Sequence, residues 1–275
     1  DEEHFLKDNF TIDGKAPQCI LHLIPSYRMA WQAKRLNIPL RIGTSRRWYH
    51  WLTCNQRVNL SRKNSNLHEI QLNLMTLSAF NIAHIIALND ISSLYALSDL
   101  GGLFKHDSLL DDQKCKVIIH PKSGGSAKEW HLENYISLIQ SLDTTKFQIF
   151  ISGSHQERET MQELFDAVGD CVEDICGKLT LTEFIGLIAR CDALVACSTG
   201  PLHLAAALGK AALGLYAPRE PIFARRWGPV GKNAHIFESG NPLCVACRRD
   251  GIACACLNSV PIKDLVDVLK ALYPK

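Results

Sequence analysis

"ALVACSTGPLHLAAALGKAALGLYAP", residues 193–218, holds two short apolar runs separated by a stretch long enough for a short helix. Apolar runs of five or six residues bounded by Gly, Pro and Ser read as strands buried on both faces. Strand, helix and strand at this spacing make the unit from which parallel sheets are assembled. The rhythm extends upstream. "KVIIH" (116–120) and "FQIFI" (147–151) are strand candidates. Leu132, Tyr135, Ile136, Ile139 and Leu142 share one helical face, as do Met161, Leu164, Phe165 and Val168. Thr180 with Glu183 three residues on is a capping-box pair for a helix running through Ile188. The fold class expected is α/β, with a parallel sheet covered by helices on both faces. Ligands of such sheets sit beyond the carboxyl ends of the strands, so the loops at 121–130, 152–157 and 198–201 should converge on one crevice.

The N-terminal part is also α/β. "QCILHLI" (18–24) and "LRIGT" (40–44) predict strands, 27–36 predicts a helix, and 45–65, "SRRWYHWLTCNQRVNLSRKNS", reads as irregular, basic and aromatic. A helix carrying Leu67, Ile70, Leu74 and Leu77 follows. Two strands are few for an independent doubly wound domain, so this half is expected to be incomplete. "DLGGLFKHDSLLDDQK" (99–114), with paired glycines and mixed charge, predicts the boundary, giving domains 1–107 and 108–275.

With 275 residues, 47% hydrophobic and 21% charged, the chain can bury the cores of two domains and is not a disordered sequence. A net charge of +2 gives no ground for a nucleic-acid partner. No apolar run of about 18 residues occurs, so no membrane span is expected. "DEEHFLKDNF" (1–10) lacks the basic-then-apolar pattern of a signal peptide. Eleven cysteines without such a signal point to a reducing compartment, and the chain reads as cytoplasmic.

In "STGPLH" (198–203), Ser198 or Thr199 can cap a helix, Gly200 permits close approach to the backbone, and Pro201 suits a first helical turn. Exposed N–H groups and the helix dipole there favour a phosphate, to which His203 can add a donor. The same residues also describe an ordinary capped helix with a satisfied histidine. "HPKSGGSAKEW" (120–130) follows a strand with a glycine-rich, donor-rich turn; Lys128 can meet a diphosphate as a point charge, or be a solvated loop lysine beside a Trp130 anchor. It is neither a P-loop nor a G-x-G-x-x-G fingerprint. In "ISGSHQERE" (151–159), Gly153 ends a strand and Glu157 opens a helix, where a carboxylate can accept from ribose hydroxyls or merely stabilise the helix terminus.

Cys244, Cys247, Cys254 and Cys256 stand in a C-x2-C-x6-C-x-C arrangement, a candidate structural zinc set that could equally be free thiols or a labile disulfide. Arg41, Arg46, Arg47, Arg57, Arg62 and Lys63, interleaved with Trp48, Tyr49 and Trp51, form either a solvated face or a cradle for a phosphorylated or carboxylated acceptor. His68 and Glu69 read as first-turn residues of the next helix. No D-x-D pair is present, so a metal-independent site relying on lysine and helix dipole is expected.

Taken together and in order, "HPKSGGSAKEW", "SGSHQERE" and "GKLTLTEFIGLIARCDALVACSTGPLHLAAALG" resemble glycosyltransferase family 9, the ADP-heptose:lipopolysaccharide heptosyltransferases; "RIGTSRRWYHWLTCN" and "LHEIQLNL" look like the family's N-terminal half. The resemblance implies a GT-B fold of two Rossmann-like domains facing each other across a cleft. It implies inverting transfer of a sugar, heptose from ADP-heptose, to a lipopolysaccharide core or related lipid-linked glycan acceptor. No cofactor is required beyond the ADP-sugar co-substrate, and contact with the inner membrane is at most peripheral. Residue by residue, Lys128 falls on the lysine that meets the donor phosphates and so stabilises the leaving group. Glu157 falls on the ribose-binding acid, Leu179 beside the adenine, and Ser198, Thr199, Gly200 and His203 on the segment around the diphosphate. Ser123 and Gly153 flank these in the donor loops, and Arg41, Arg46 and Arg47 lie on the acceptor side. Two departures stand out. Ser198 replaces an Asp common in the family, and the family's opening strand, "SSLGD"-type loop and helix, which carry its proposed catalytic base, have no counterpart here. A fragment, or a degenerate member that binds nucleotide sugar without catalysis, is the alternative expectation.

Overall fold

The computed structural model describes residues 2–6, 10–63, 65–82, 85–97, 100–218, 223–238 and 255–273. They form two compact units, Asp1–Ala87 and Leu88–Lys275.

The first unit carries β1 (Cys19–Leu21), α1 (Tyr27–Arg35), β2 (Leu40–Thr44), α2 (Trp48–Thr53), β3 (Gln56–Val58) and α3 (Glu69–Leu74). The strands run parallel in the order β1-β2-β3. Ser26 starts α1 by accepting from the Met29 amide at 3.3 Å, and Lys34 and Arg35 sit at its negative end. The stretch expected to be irregular, 45–65, instead contains α2 and β3, and Gln56 pairs in register with Ile42. The sheet therefore has three strands among the described residues, not two. Gly43 is required where β2 passes α2, because a Cβ would stand 2.5 Å from His50 Nδ1. That nitrogen accepts from the Thr44 amide at 2.9 Å, and the His50 ring stacks on His22 at 5.2 Å between centroids. Burial, reinforced by His50, pushes His22 down to about 4.

The second unit is a six-stranded parallel sheet in the order β6-β5-β4-β7-β8-β9. Its elements are β4 (Cys115–His120), α4 (Leu132–Gln140), β5 (Phe147–Ile151), α5 (His155–Glu159), α6 (Gln162–Val168), β6 (Glu173–Asp174), α7 (Leu181–Arg190), β7 (Ala193–Cys197), α8 (Gly200–Ala207), β8 (Ala211–Tyr216), β9 (Ala234–Glu238) and α9 (Ile262–Leu272). Alternate residues of each central strand feed two cores. Val117, Ile119, Ile149, Val195 and Leu213 pack with Leu138 of α4, Leu164 of α6 and Leu265 of α9. Ile118, Phe150, Leu194 and Ala212 pack with Leu187 of α7 and Leu202 of α8. Both faces are thus covered, which is why these strands read as continuous apolar runs. Burial pushes the core thiols Cys115 and Cys176 up to about 12 and Cys197 up to about 11, so all three remain protonated packing groups.

The division between the units falls earlier than the glycine pair predicts. Residues 88–107 belong with the second unit: Phe104 is buried in the core beside α7, Arg190 pairs with Asp107 at 2.7 Å, and a Cβ on Gly186 would stand 2.3 Å from the Phe104 amide nitrogen. Of the paired glycines, Gly101 serves a close approach to α7, where a Cβ would lie 2.9 Å from Arg190 Cδ, whereas a Cβ on Gly102 would meet nothing within 4 Å.

Candidate functional site

In the second unit the sheet grows in one direction from β4 to β5 and β6, and in the other from β7 to β8 and β9. The carboxyl ends of β4 and β7 are therefore adjacent while their following segments diverge, which opens a crevice at the switch point. The loop after β4 turns through Gly124 and Gly125 at φ +56° and +83°, a left-handed pair that L side chains resist. Its shape is held by a carboxylate. Glu129 Oε1 accepts from the Ser123 amide at 2.8 Å and from the Ser123 hydroxyl at 2.9 Å, while Lys122 Nζ lies 3.5 Å from Oε2. Lys128, immediately before this brace, is largely buried.

Both neighbouring loops join this turn. Ser126 donates to the Ser123 carbonyl at 2.8 Å, and its hydroxyl reaches the Ser198 carbonyl at 3.5 Å. On the other side, Glu157 closes a capping box: Ser154 donates its amide to Oε2 at 2.7 Å and receives the Glu157 amide on its hydroxyl at 3.2 Å. A Cβ on Gly124 would stand 3.9 Å from Glu157 Oε1, and one on Gly153 would stand 3.4 Å from Oε2. Partial burial pushes the Glu157 carboxyl up, but hydrogen bonds from Ser154, the nearby His120 and the Gly124 amide outweigh it and hold the group below its ordinary value. His120, at the end of β4, shares a 2.9 Å hydrogen bond with the Ser152 hydroxyl. Burial pushes its imidazole down, opposed by Glu157 and Glu129.

At the third loop, Thr199 is the N-cap residue of α8 in extended conformation, yet its side chain does not cap the helix. Its hydroxyl is buried without a hydrogen-bond partner. Pro201 falls in the first turn, where no amide donor is lost from the helix ladder. A Cβ on Gly200 would meet nothing within 4 Å, so open space lies before the first turn of α8. His203 is half-buried one turn into α8. Leu179, just before α7, is half-buried against the core that holds Ile175 and Leu187. The hydrogen bonds thus bring together Ser123, Glu157 and Ser198, with Gly153 in close approach. Glu129, Ser126 and His120 were not singled out by sequence. Glu129 carries no local signal because its partner lies six residues away, whereas S-x-x-E at 154–157 is a readable capping box.

The first unit contains a cavity of about 410 Å3 lined by Arg46, Arg47, Thr44, Ser61, Arg62 and Lys63, among others. Arg41 is not among its lining residues. Its guanidinium donates to the Thr53 carbonyl at 2.7 Å and to the Ile38 carbonyl, tying the end of α2 to the segment that leads into β2. Arg62 is oriented by Glu69 at 2.5 Å and Asn73 at 2.8 Å. Of the cysteine set, Cys244, Cys247 and Cys254 lie outside the described residues, and Cys256 is half-buried. Among the described residues no group of three metal-binding side chains occurs. Nor, among them, is any helix long and apolar enough to cross a membrane.

The signature of glycosyltransferase family 9 (heptosyltransferase) matches residues 13–256. The chain belongs to this family. A Haemophilus influenzae protein is 27% identical over 212 residues, covering 74% of this chain and 60% of that protein. Lipopolysaccharide heptosyltransferase 2 of Escherichia coli K12 is 32% identical over 117 residues, 41% of this chain and 33% of the enzyme. The family 9 chain thus spans 60% or less of the length of these curated relatives. In fold it is similar to E. coli ADP-heptose lps heptosyltransferase II, with a TM-score of 0.65 at 20% identity over 90% of this chain and 73% of that one. It is equally similar to E. coli heptosyltransferase WaaC solved with ADP, with a TM-score of 0.64 at 16% identity over 94% and 73%. The fold is that of the GT-B heptosyltransferases.

Proposed function

We propose that this family 9 chain acts in an inverting glycosyl transfer in which a heptose passes from ADP-heptose to a lipopolysaccharide-core or related lipid-linked acceptor. The observation that carries the reading is the convergence of the loops beyond β4 and β7. There a glycine turn, a carboxylate held ionised and the open first turn of α8 meet, with the Thr199 hydroxyl buried and unpaired. A buried hydroxyl without a partner is costly, and a diphosphate oxygen arriving there would satisfy it.

In this reading the acceptor hydroxyl attacks the anomeric carbon and ADP departs from the opposite face. Lys128 and the Thr199–Gly200 amides neutralise the charge that builds on the leaving diphosphate, and His203 and Ser198 add contacts to it. Removing one preorganised donor of this kind costs on the order of 10²- to 10³-fold in rate. Glu157, with Ser123 and Gly153 beside it, receives the ribose hydroxyls, and Leu179 offers an apolar surface to the adenine. Arg46 and Arg47 receive an anionic group of the acceptor. The chemistry needs no metal in this scheme, since cationic side chains and amide dipoles supply the stabilisation. The names of the relatives support the donor and acceptor classes, and a lipid-linked acceptor fits peripheral membrane contact, which this reading places on the cytoplasmic side.

Calorimetric titration with ADP and ADP-heptose tests the reading. ADP-heptose should bind more tightly than ADP, and Lys128→Ala and Glu157→Ala should each weaken both. Unchanged affinity in both variants would overturn the donor site. Donor binding without transfer to a lipopolysaccharide acceptor would instead mark the chain as a nucleotide-sugar-binding module.

A further inference from the structure

Charge is unevenly distributed along the chain. Residues 14–68 contain ten lysines and arginines and no aspartate or glutamate, although the whole chain is nearly balanced. The same segment exposes several large apolar side chains. On α2, Trp48, Trp51 and Leu52 stand at i, i+3 and i+4 and share one helix face; Trp48 is 66% exposed and Trp51 59%. Tyr27 of α1 extends the patch, its ring 5.8 Å from Trp48. Basic groups border it closely: Arg57 stacks over Trp51 at 4.4 Å, Lys34 Nζ donates to the Leu52 carbonyl at 2.9 Å, and Arg46 and Arg47 lead directly into the helix.

Aqueous solvent does not explain this combination. Exposed apolar clusters of this kind are unusual on a soluble surface, and two indoles with a phenol are the side chains that prefer the boundary between lipid and water. A border of cations with no acid in the segment is complementary to phosphate headgroups and unfavourable to most basic partners. Trp51 is also positioned by its polar end: its Nε1 donates to the Ser45 carbonyl at 3.0 Å, which holds the ring on the surface.

We propose that the α2 face, built from Trp48, Trp51, Leu52 and Tyr27 inside its arginine and lysine border, docks on an anionic lipid bilayer surface. The aromatic rings enter the interfacial layer and the cations pair with headgroup phosphates. The proposal rests in part on the glycosyl-transfer reading, which makes a lipid-linked acceptor the substrate, but its physical basis is this surface alone.

The test is flotation of the full chain with vesicles of phosphatidylethanolamine and phosphatidylglycerol, against vesicles of phosphatidylcholine alone, at low and high salt. Binding should be confined to the anionic vesicles, weaken with salt, and fall about tenfold or more in Trp48→Ser/Trp51→Ser, with Leu52→Glu as an independent variant on the same face. ADP titration of each variant should match the unaltered chain, which separates loss of docking from loss of the donor site or of the fold. Absence of binding to anionic vesicles at low salt by the folded chain would overturn the proposal, as would binding indifferent to both variants. A dimer in sedimentation that both variants dissociate would also overturn it, since the patch would then be covered by a second copy.

Discussion

Leu213 of β8 and Ile20 of β1 are both aliphatic residues in parallel strands, yet the first is fully buried in a sheet covered by helices on both faces and the second is only half-buried. The contrast runs through the two units. In the second, whole strands such as β7 and β8 are buried along their length, so apolar area removed from water carries most of the stabilisation. In the first, the strands are short and half-exposed, and long polar side chains tie loops to the sheet. Asn55 donates to the Pro39 carbonyl at 2.7 Å, Gln56 to Ala79 at 2.7 Å, Arg62 to Leu23 at 2.7 Å and Gln71 to Ile86 at 2.8 Å. A sheet with little to bury is held by satisfying backbone groups one at a time, and each tie is worth far less than a core side chain.

Truncation separates the two modes most clearly. Leu213→Ala should cost about 3 kcal/mol and speed hydrogen exchange throughout the second unit, leaving exchange in residues 10–82 unaltered. Gly186→Ala should cost about 2 kcal/mol by forcing the backbone at Leu103 and Phe104 away from α7. If exchange at 100–104 accelerates together with α7, the assignment of that segment to the second unit is sharpened; acceleration in the first unit instead would break it. Arg41→Gln should cost about 1.5 kcal/mol, confined to the first unit, by freeing the Thr53 and Ile38 carbonyls. A comparable loss in the second unit would contradict the division.

A further difference between the units is one of pH. The folded value of His22 lies below its ordinary 6.5, so the native state holds the neutral ring. Its stabilising contribution is complete above 6.5 and is lost as pH falls toward about 4, because the unfolded chain takes up the proton first. Hydrogen exchange of the first unit should therefore quicken across that window, and His22→Asn should flatten the response.

The same contrast governs what could be read from the sequence. The strands at 116–120, 147–151, 193–197 and 211–216 were legible because central parallel strands are apolar on both faces. Glu173–Asp174 is two acidic residues long, and Ala234–Glu238 sits half-exposed at the sheet edge, so neither announces itself. In the first unit, Gln56–Val58 hides in a basic stretch because its position depends on polar ties, not on an apolar pattern. The three loops at the crevice were visible from their glycines and caps. The Glu129 brace was not, since nothing local links it to Ser123, and the unpaired Thr199 hydroxyl was hidden because composition says nothing about what surrounds an atom.

The adjacency of β4 and β7 also sets an order of events. The Lys116 amide donates to the Asp192 carboxylate across 76 positions of chain, at 2.7 Å, alongside the strand pairing that defines the crevice. Closing so long a loop costs entropy before any contact rewards it, and parallel pairings of this kind form slowly. A nascent chain that has emerged only as far as β6 can hold the glycine turn and the Glu157 box, but it has no crevice. Ligand cannot assist folding until the second half of the sheet has been synthesised, so nucleotide binding during translation would report completion of the sheet rather than drive it.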